Sequence, residues 1–488
     1  MSNGRPIWLP IRGLVVYRII LARFIKAGRH RLLSGVGDSG GMADRRTTIG
    51  ALAAVTTLFF AWGFITSLVD PLVAAVKGIF SLSDLQAQLG ASAFFISYGV
   101  VSLPAAVLVA RHRAVPSILV ALAMMIVGCV LMLIAANLAV YLVLLLGLFV
   151  MASGITVLQV AANPLAAALG DPRYSHFRLT LAQAFNSVGT FLGPYIGATL
   201  FLKGLDVKAG TAVSEIARVK ALIGIDRAYF WIAGLIAVLL VFFFVVRRTV
   251  NAAAPQSVND SVGMLALFRE AAASRWAMLG ATAIFLYVGA EVAIGTQLAF
   301  VLSSDAVWGL TDAPEMVGPI ARFMQLDATP GVSLEEAGKA VSLYWGGAMI
   351  GRLAGVALLA RVDAARLLAI FTAVAATMCG YVGLFGGVSG GFVALSIGLF
   401  NSIMFPTIFT LTLERSTARQ EATSGLLCTA IVGGAFIPPL TGLVSGSIGY
   451  TAAFVVPMAC YSLLCIFALS SRRASIVTRD HPVSVNLH

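Results

Sequence analysis

A chain of 488 residues that is 59% hydrophobic and only 11% charged, with a mean hydropathy of +0.95, cannot wet a globular surface. A soluble domain needs roughly 25% charged residues for that. The formal charge of +12 does not restore a nucleic-acid reading, because residues 1–46 hold nine Lys or Arg against Asp38 and Asp44, and that segment alone supplies most of the excess.

The basic N-terminal segment shows no cleavage pattern of a secretory signal. Its apolar stretch from Leu14 to Ile25 is interrupted by Arg18 and Arg23. Two expectations follow: the segment lies on an anionic membrane surface, or translation starts at Met42. Beyond it, apolar runs long enough to cross about 30 Å of hydrocarbon recur twelve times, centred near 60, 98, 124, 154, 190, 237, 288, 350, 376, 402, 434 and 460. The first, from Thr48 to Phe80, is longer than one crossing requires and is predicted to tilt, or to break at Asp70-Pro71. There the ring removes a ladder bond and pushes the preceding residue away from the helical conformation.

Charge in the short loops sets the orientation. Arg111 and Arg113, Arg173 and Arg178, Arg247 and Arg248, Arg361 and Arg366, Arg415 and Arg419, and Arg472 and Arg473 fall on one side. The loop around 303–337, on the other side, is acidic (Asp305, Asp312, Glu315, Asp327, Glu335). The basic side and both termini are therefore expected in the cytoplasm. The loop around 203–226, with Lys203, Lys208, Arg218 and Lys220, departs from the pattern. The five cysteines all lie in apolar runs without metal spacing and read as small hydrophobes.

The runs fall into two blocks of six. The boundaries read as a basic segment 1–46, an N-terminal bundle 47–247, a cytoplasmic linker 248–275, a C-terminal bundle 276–470 and a tail 471–488. The blocks echo each other. Gln159 precedes Pro164 by five residues in the fourth run, and Asn401 precedes Pro406 by five in the tenth. Val188–Gly197 (VGTFLGPYIG) pairs with Gly433–Gly442 (GGAFIPPLTG). The fold class is an all-α membrane protein of twelve transmembrane helices in two pseudo-symmetric bundles, an arrangement suited to alternating access around a central site. Gly347, Gly351 and Gly355 form a small-xxx-small ridge for helix packing.

A carboxylate at the bilayer centre costs roughly 2.5–3.5 kcal/mol and normally faces a bundle interior or a wet cavity. Asp70 in the first run and Glu291 in the seventh occupy corresponding first helices of their bundles. Neither has a basic neighbour within a helical turn, so a counter-charge must come from another helix or a bound cation; otherwise the acid carries a proton. Both are candidate ion-coupling residues. Gln159 and Asn163, Gln183 and Asn186, Gln297 and Asn401 supply carboxamides in the fourth, fifth, seventh and tenth runs. Gln159 and Asn163 are four apart and Gln183 and Asn186 three apart, so each pair shares a helix face. With Trp62, Phe185, Tyr344 and Trp345 they suit a neutral polyhydroxylated ring, amides serving its hydroxyls and aromatics its C–H face. Phosphates, nucleotides and dicarboxylates do not fit so neutral a set.

The segments FFAWGFITSLVDPL, ASGITVLQVAANP, FRLTLAQAFNSVGTFLGP, FLYVGAEVAIG, YWGGAMIGR and FNSIMFPTIFTL resemble the fucose–galactose–glucose permease branch of the major facilitator superfamily, and within it the bacterial glucose/galactose transporters. The resemblance runs from about Thr48 to Ser470, apart from the 303–337 loop. It implies the twelve-helix facilitator fold and uptake of a hexose driven by a cation gradient. Asp70 matches an ion-linked aspartate of the fucose permease. That relative has a glutamate where this chain has Gln159, and a glutamine where this chain has Glu291, so the second acid is expected to have moved from the fourth helix to the seventh. Coupling to a proton or to sodium is left open, and no cofactor or metal is expected. Related permeases for an amino sugar, fucose or a disaccharide remain alternatives, as does a multidrug exporter, which would need a greasier cavity.

Other activities find no support. There is no Walker A spacing, since Gly338-Lys339 is followed by alanine. Gly387–Gly391 matches G-x-S-x-G, but every histidine lies in a tail or a cytoplasmic loop, and Ser389 is expected in an external turn. The expected partners are a sugar and the lipid bilayer of a bacterial inner membrane, with no nucleic acid, and the expected working unit is a monomer.

Overall fold

The computed structural model describes residues 42–169, 175–203, 215–253, 264–309, 320, 323–324, 331–359 and 362–475. The basic segment up to residue 41, Arg173, Lys208, most of the acidic 310–330 stretch and the tail from residue 476 lie outside the described residues. Among the described residues there is no strand.

Twelve helical spans follow one another. Spans 1–6 are Met42–Ser67 with Val69–Ile79, Asp84–His112, Ala114–Leu138, Tyr141–Ala168, Ser175–Phe201 and Glu215–Ala253. Spans 7–12 are Arg275–Ser303, Leu334–Leu359, Ala364–Phe385, Gly387–Asn401 with Met404–Arg415, Gln420–Thr429 with Gly433–Ile448, and Val455–Arg473. Span 6 continues to Ala253, and a short helix, Met264–Ala273, follows within the linker stretch. Span 6 has 39 residues, about 58 Å at 1.5 Å per residue, so it projects beyond a bilayer core. Its extra length carries Arg218 and Lys220 on a helix, not in the loop the charge pattern suggested.

Proline decides where spans 1 and 10 break. A proline ring collides with the carbonyl four residues earlier. For Pro71 that residue is Ser67, where the first helical segment ends; for Pro406 it is Ser402, in the gap between Asn401 and Met404. The break in span 1 thus lies just ahead of Asp70 and leaves that residue in the first turn of the resumed helix.

Among the described residues, nine helices are long and apolar enough to cross a membrane by length and composition. Spans 2, 5, 8 and 11 line the seam between the bundles. Span 5 packs along span 8, and span 2 along span 11. The predicted glycine ridge of span 8 meets span 10: a Cβ on Gly347 would touch Leu399, one on Gly351 would collide with Leu399 and Ser402, and one on Gly355 with Ile403. Gly386 and Gly387, both with positive φ, turn the chain into span 10. Ser389 therefore sits in the first turn of that helix, not in the turn itself, with its Oγ 3.0 Å from the Tyr381 hydroxyl.

Candidate substrate and ion site

The two acids come together. Asp70 is buried, and its Oδ2 accepts from Trp345 Nε1 of span 8 at 2.7 Å, a bond between the two bundles. Span 7 closes on the same carboxylate through Gly295, where a Cβ would stand 3.2 Å from both Asp70 oxygens and 3.3 Å from the Trp345 ring. Glu291 lies one helical turn before Gly295. Its Oε1 accepts from the Tyr287 hydroxyl at 2.7 Å, and its backbone carbonyl accepts from Tyr344 at 3.2 Å. Asn401 completes the cluster: its Nδ2 donates to the Tyr344 hydroxyl at 2.7 Å, and its carbonyl lies 3.1 Å from the Tyr287 hydroxyl. The broken first span and the close-packed glycine at 295 are what bring carboxylates from opposite bundles into one polar patch.

A cation also lies in the seam. Arg352 in span 8 donates through Nη1 to Ser187 Oγ of span 5 at 2.8 Å, again across the seam. The sequence scan weighed acids inside the spans and left this arginine out. An arginine inside an apolar run carries the same desolvation cost, and applying that test to YWGGAMIGR would have found it.

The carboxamides divide into several groups. Gln159 donates to the Tyr98 hydroxyl at 2.7 Å, joining span 4 to an aromatic stack of Phe95 and Tyr98 on span 2. Asn163, one turn further, is half-buried with its Oδ1 unpartnered among the described residues. Gln183 is half-buried, and its backbone carbonyl accepts from Ser187 Oγ at 3.0 Å, which ties it to the Arg352 contact. Phe185 is also half-buried. Asn186 is used as a clasp within the N-terminal bundle, donating to the Phe59 carbonyl at 3.1 Å, and Trp62 is buried against the Phe59 ring at 4.5 Å. Gln297 is buried and reaches Ser445 of span 11 at 3.4 Å, with Oε1 unpartnered among the described residues. Thus Asp70 pairs with Trp345, and Glu291, Tyr287, Tyr344 and Asn401 form one hydrogen-bonded network, the two adjoining through the Tyr344–Trp345 ring contact at 5.2 Å; Gln159 forms another pair with Tyr98, and Asn186 and Gln297 join neighbouring helices.

A third polar cluster closes the seam at the end of the bundle opposite the chain termini. Lys77, the last basic residue of span 1, pairs with Asp84 at the start of span 2 and donates to the Tyr450 hydroxyl from the turn before span 12. Tyr450 donates to Asp84 at 3.2 Å. The Lys77 ammonium also stands 4.8 Å from the Phe300 ring centre and 5.2 Å from that of Tyr450, and the two rings stack at 5.7 Å. Both charged side chains of the pair are largely buried.

Two six-helix bundles meeting along a polar seam, with an acid from each bundle inside it and a closure at one end, have the architecture of a multi-pass transporter built for alternating access. Residues 51–326 match the family profile of the Major Facilitator Superfamily, and the chain belongs to that superfamily. It is 38% identical over 421 residues to the glucose/galactose transporter of Brucella abortus (strain 2308), covering 86% of this chain and 93% of the relative. Identity to the putative glucose/galactose transporter of Helicobacter pylori (strain J99) is 32% over 425 residues, covering 86% and 96%. For the L-fucose-proton symporter of Escherichia coli (strain K12) it is 29% over 439 residues, covering 87% and 93%. A crystal structure of the fucose:proton symporter of that species superposes with a TM-score of 0.62 at 24% identity, over 87% of this chain and 99% of that one. A major facilitator transporter in the outward conformation gives 0.61 at 25% identity, over the same shares. The motif resemblance therefore holds for both the fold and the permease branch.

Proposed function

We infer that this protein is a secondary active transporter that imports a hexose of the glucose/galactose type together with a proton across a bacterial inner membrane. The observation that carries the reading is that buried Asp70 of the N-terminal bundle and half-buried Glu291 of the C-terminal bundle each accept from a neutral donor of the C-terminal bundle, Asp70 close against span 7 one turn from Glu291. Each acid is held by a neutral donor, Trp345 Nε1–H or Tyr287 O–H, so either can exist charged or protonated without losing its partner. That is the property a proton-coupled carrier needs at its centre. The carboxamides around it, Gln159 and Asn163 above all, offer donors and acceptors to sugar hydroxyls. The named activities of the relatives, glucose/galactose transport and fucose–proton symport, point the same way. The start of span 1, the end of span 12 and Arg111, Arg113, Arg247, Arg248, Arg415 and Arg419 share one end of the bundle, and the positive-inside rule supports reading that end as cytoplasmic. The site is complete within one chain, which supports a monomer as the working unit.

Energetically, one proton crossing with 100 mV of potential and a tenfold gradient supplies about 2.3 plus 1.4 kcal/mol, enough for several-hundred-fold accumulation at one-to-one coupling. The test is uptake by purified protein in liposomes, using labelled glucose, galactose, L-fucose, glucosamine and lactose under separately imposed proton and sodium gradients. Glucose or galactose accumulation driven by the proton gradient alone is expected. Accumulation driven only by sodium would replace the ion, and accumulation of none of the five would overturn the reading.

A further inference from the structure

Span 2 carries a buried phenol where the neighbouring positions of the same helix carry plain rings. Phe94 and Phe95 are buried without a polar atom, and Tyr98, one turn on, stacks on Phe95 with ring centres 5.9 Å apart. A buried hydroxyl costs free energy unless it finds a partner. Here the partner is Gln159 of span 4, whose Nε2 donates to the phenol oxygen at 2.7 Å. The two spans meet again where Ser97 Oγ lies 3.4 Å from Thr156 Oγ1, so the register of Gln159 against span 2 is fixed beside the bond as well. As a clasp between helices the bond is incomplete. It spends one N–H of the carboxamide and one lone pair of the phenol. The second amide N–H, the Gln159 carbonyl oxygen and the Tyr98 O–H take part in no hydrogen bond among the described residues. Gln159 is half-buried, so part of its carboxamide is accessible. Asn163, one turn further along the same face, has a buried Oδ1 that is likewise unpartnered among the described residues. The stack is fixed from the other bundle: a Cβ on Gly434 of span 11 would stand 2.6 Å from the Phe95 ring.

We propose that Tyr98 is a specificity-determining residue of the sugar site, holding the Gln159 carboxamide in one orientation so that the pair reads a single hydroxyl of the hexose as donor and acceptor at once. This rests on the sugar-transport reading above. A sugar hydroxyl can give its hydrogen to the Gln159 carbonyl oxygen and take one from the Tyr98 O–H or the free amide N–H. A sugar without that hydroxyl would leave these groups unpaired on closure, and leaving a buried donor or acceptor unmade costs more than the bond itself gains. A glutamine alone on its rotatable stem could turn its amide to suit other hydroxyl arrangements and would discriminate less. Tyr98 removes that freedom, because its own ring is stacked on Phe95 and Phe95 is seated on the glycine of span 11. The direction of the carboxamide is therefore set by both bundles.

The experiment compares wild type, Tyr98→Phe, Phe95→Leu, Gln159→Ala and the double variant Tyr98→Phe/Gln159→Ala in liposomes. Labelled galactose counterflow is competed by unlabelled galactose and by the series of its monodeoxy analogues, each lacking a different hydroxyl. Wild-type counterflow tests the transport reading itself; the pattern across the analogues tests the role of Tyr98. In wild type, the analogue without the hydroxyl read by the pair should compete about tenfold less well than galactose, or worse. Tyr98→Phe keeps the ring stack and removes the O–H. Galactose should then compete about three- to tenfold less well, while that one analogue loses little further. Its ratio to galactose therefore falls toward unity, and the ratios of the other analogues stay as in wild type. Gln159→Ala should abolish the same ratio, and adding Tyr98→Phe to it should change little, because the partner is already gone. Phe95→Leu keeps the phenol but takes away its support, so the same ratio should fall in part, and this arm stands even if Tyr98→Phe does not reach the membrane. Equal weakening of every sugar in Tyr98→Phe would reduce the phenol to a packing group. That result, galactose competition in Tyr98→Phe equal to wild type, or an unmoved ratio in Phe95→Leu would each overturn the proposal while leaving wild-type counterflow intact.

Discussion

The two polar regions of the seam are built on opposite principles. At the end opposite the termini, Lys77 faces a carboxylate, a phenol and two aromatic faces at once, and Asp84 is held by both Lys77 and Tyr450. At mid-membrane, Asp70 and Glu291 are each held by one neutral donor, and the nearby cation bonds elsewhere. The first region is a matched ion pair that suits a single geometry, so it serves as a closure that opens as a unit. The second is deliberately short of charge compensation, and a group in that condition responds to a proton or a ligand. A seam made wholly of the first kind would lock, and one made wholly of the second would leak.

The largest effect expected from breaking this contrast is at Asp70. Asp70→Asn keeps the shape and a partner for Trp345 but removes the ionisable group. Accumulation against a gradient should be abolished while downhill exchange of labelled sugar survives; wild-type accumulation in this variant would remove Asp70 from coupling. Next comes the closure. Lys77→Met leaves a largely buried Asp84 without its cation, and stranding a buried charge costs about 3–5 kcal/mol. Tyr450 compensates in part, so the expected shift away from the closed state is about tenfold to a hundredfold. It is read as faster labelling of Gly446→Cys, beside Asp84, by an impermeant maleimide in the Lys77→Met background. An unchanged labelling rate would mean that the aromatic stack closes this end without the ion pair.

A smaller effect is expected at Gln159, which tests whether the neutral side of the site binds sugar. Gln159→Ala removes the partner of Tyr98 and one carboxamide, and should raise the half-saturation concentration for galactose by an amount corresponding to about 1–3 kcal/mol. Unchanged half-saturation with reduced stability would assign the bond to helix packing instead.

What could be read in advance follows from whether the signal is local. Twelve apolar runs, a break near Pro71 in the first of them, the glycine ridge of span 8 and the two intramembrane acids are each carried by a few consecutive residues and a period, so the fold and the acids were legible. Partnerships across the seam were not, because they depend on the register of one span against another. Nothing in the spacing of Trp345 and Arg352, two turns apart on span 8, tells that the first meets Asp70 and the second Ser187. The carboxamides show the same limit: spacing gives a helix face but not the neighbour, and Asn186 and Gln297 turn out to bond to adjoining helices. Lys77 escaped for a different reason, since a basic residue near the end of an apolar run reads as a loop charge. Three-dimensional packing put it under two rings and beside Asp84.

The contrast can be sharpened finally with a pair of the same chemistry outside the seam. Arg419, at the start of span 11, donates through Nη2 to Glu270 at 2.7 Å and through its backbone N–H at 2.6 Å, fixing the short linker helix to the C-terminal bundle. The Arg419 side chain is 49% exposed and that of Glu270 32%, against 14% and 13% for Lys77 and Asp84. Water solvates both Arg419 and Glu270 when the bond is absent, and salt screens it, so such pairs contribute about 0–1 kcal/mol. Glu270→Gln should therefore leave galactose accumulation near wild type and shift thermal unfolding in detergent only slightly. If instead it impaired transport as strongly as Lys77→Met, burial would not be what gives the closure its strength, and the linker helix would have to be counted among the moving parts.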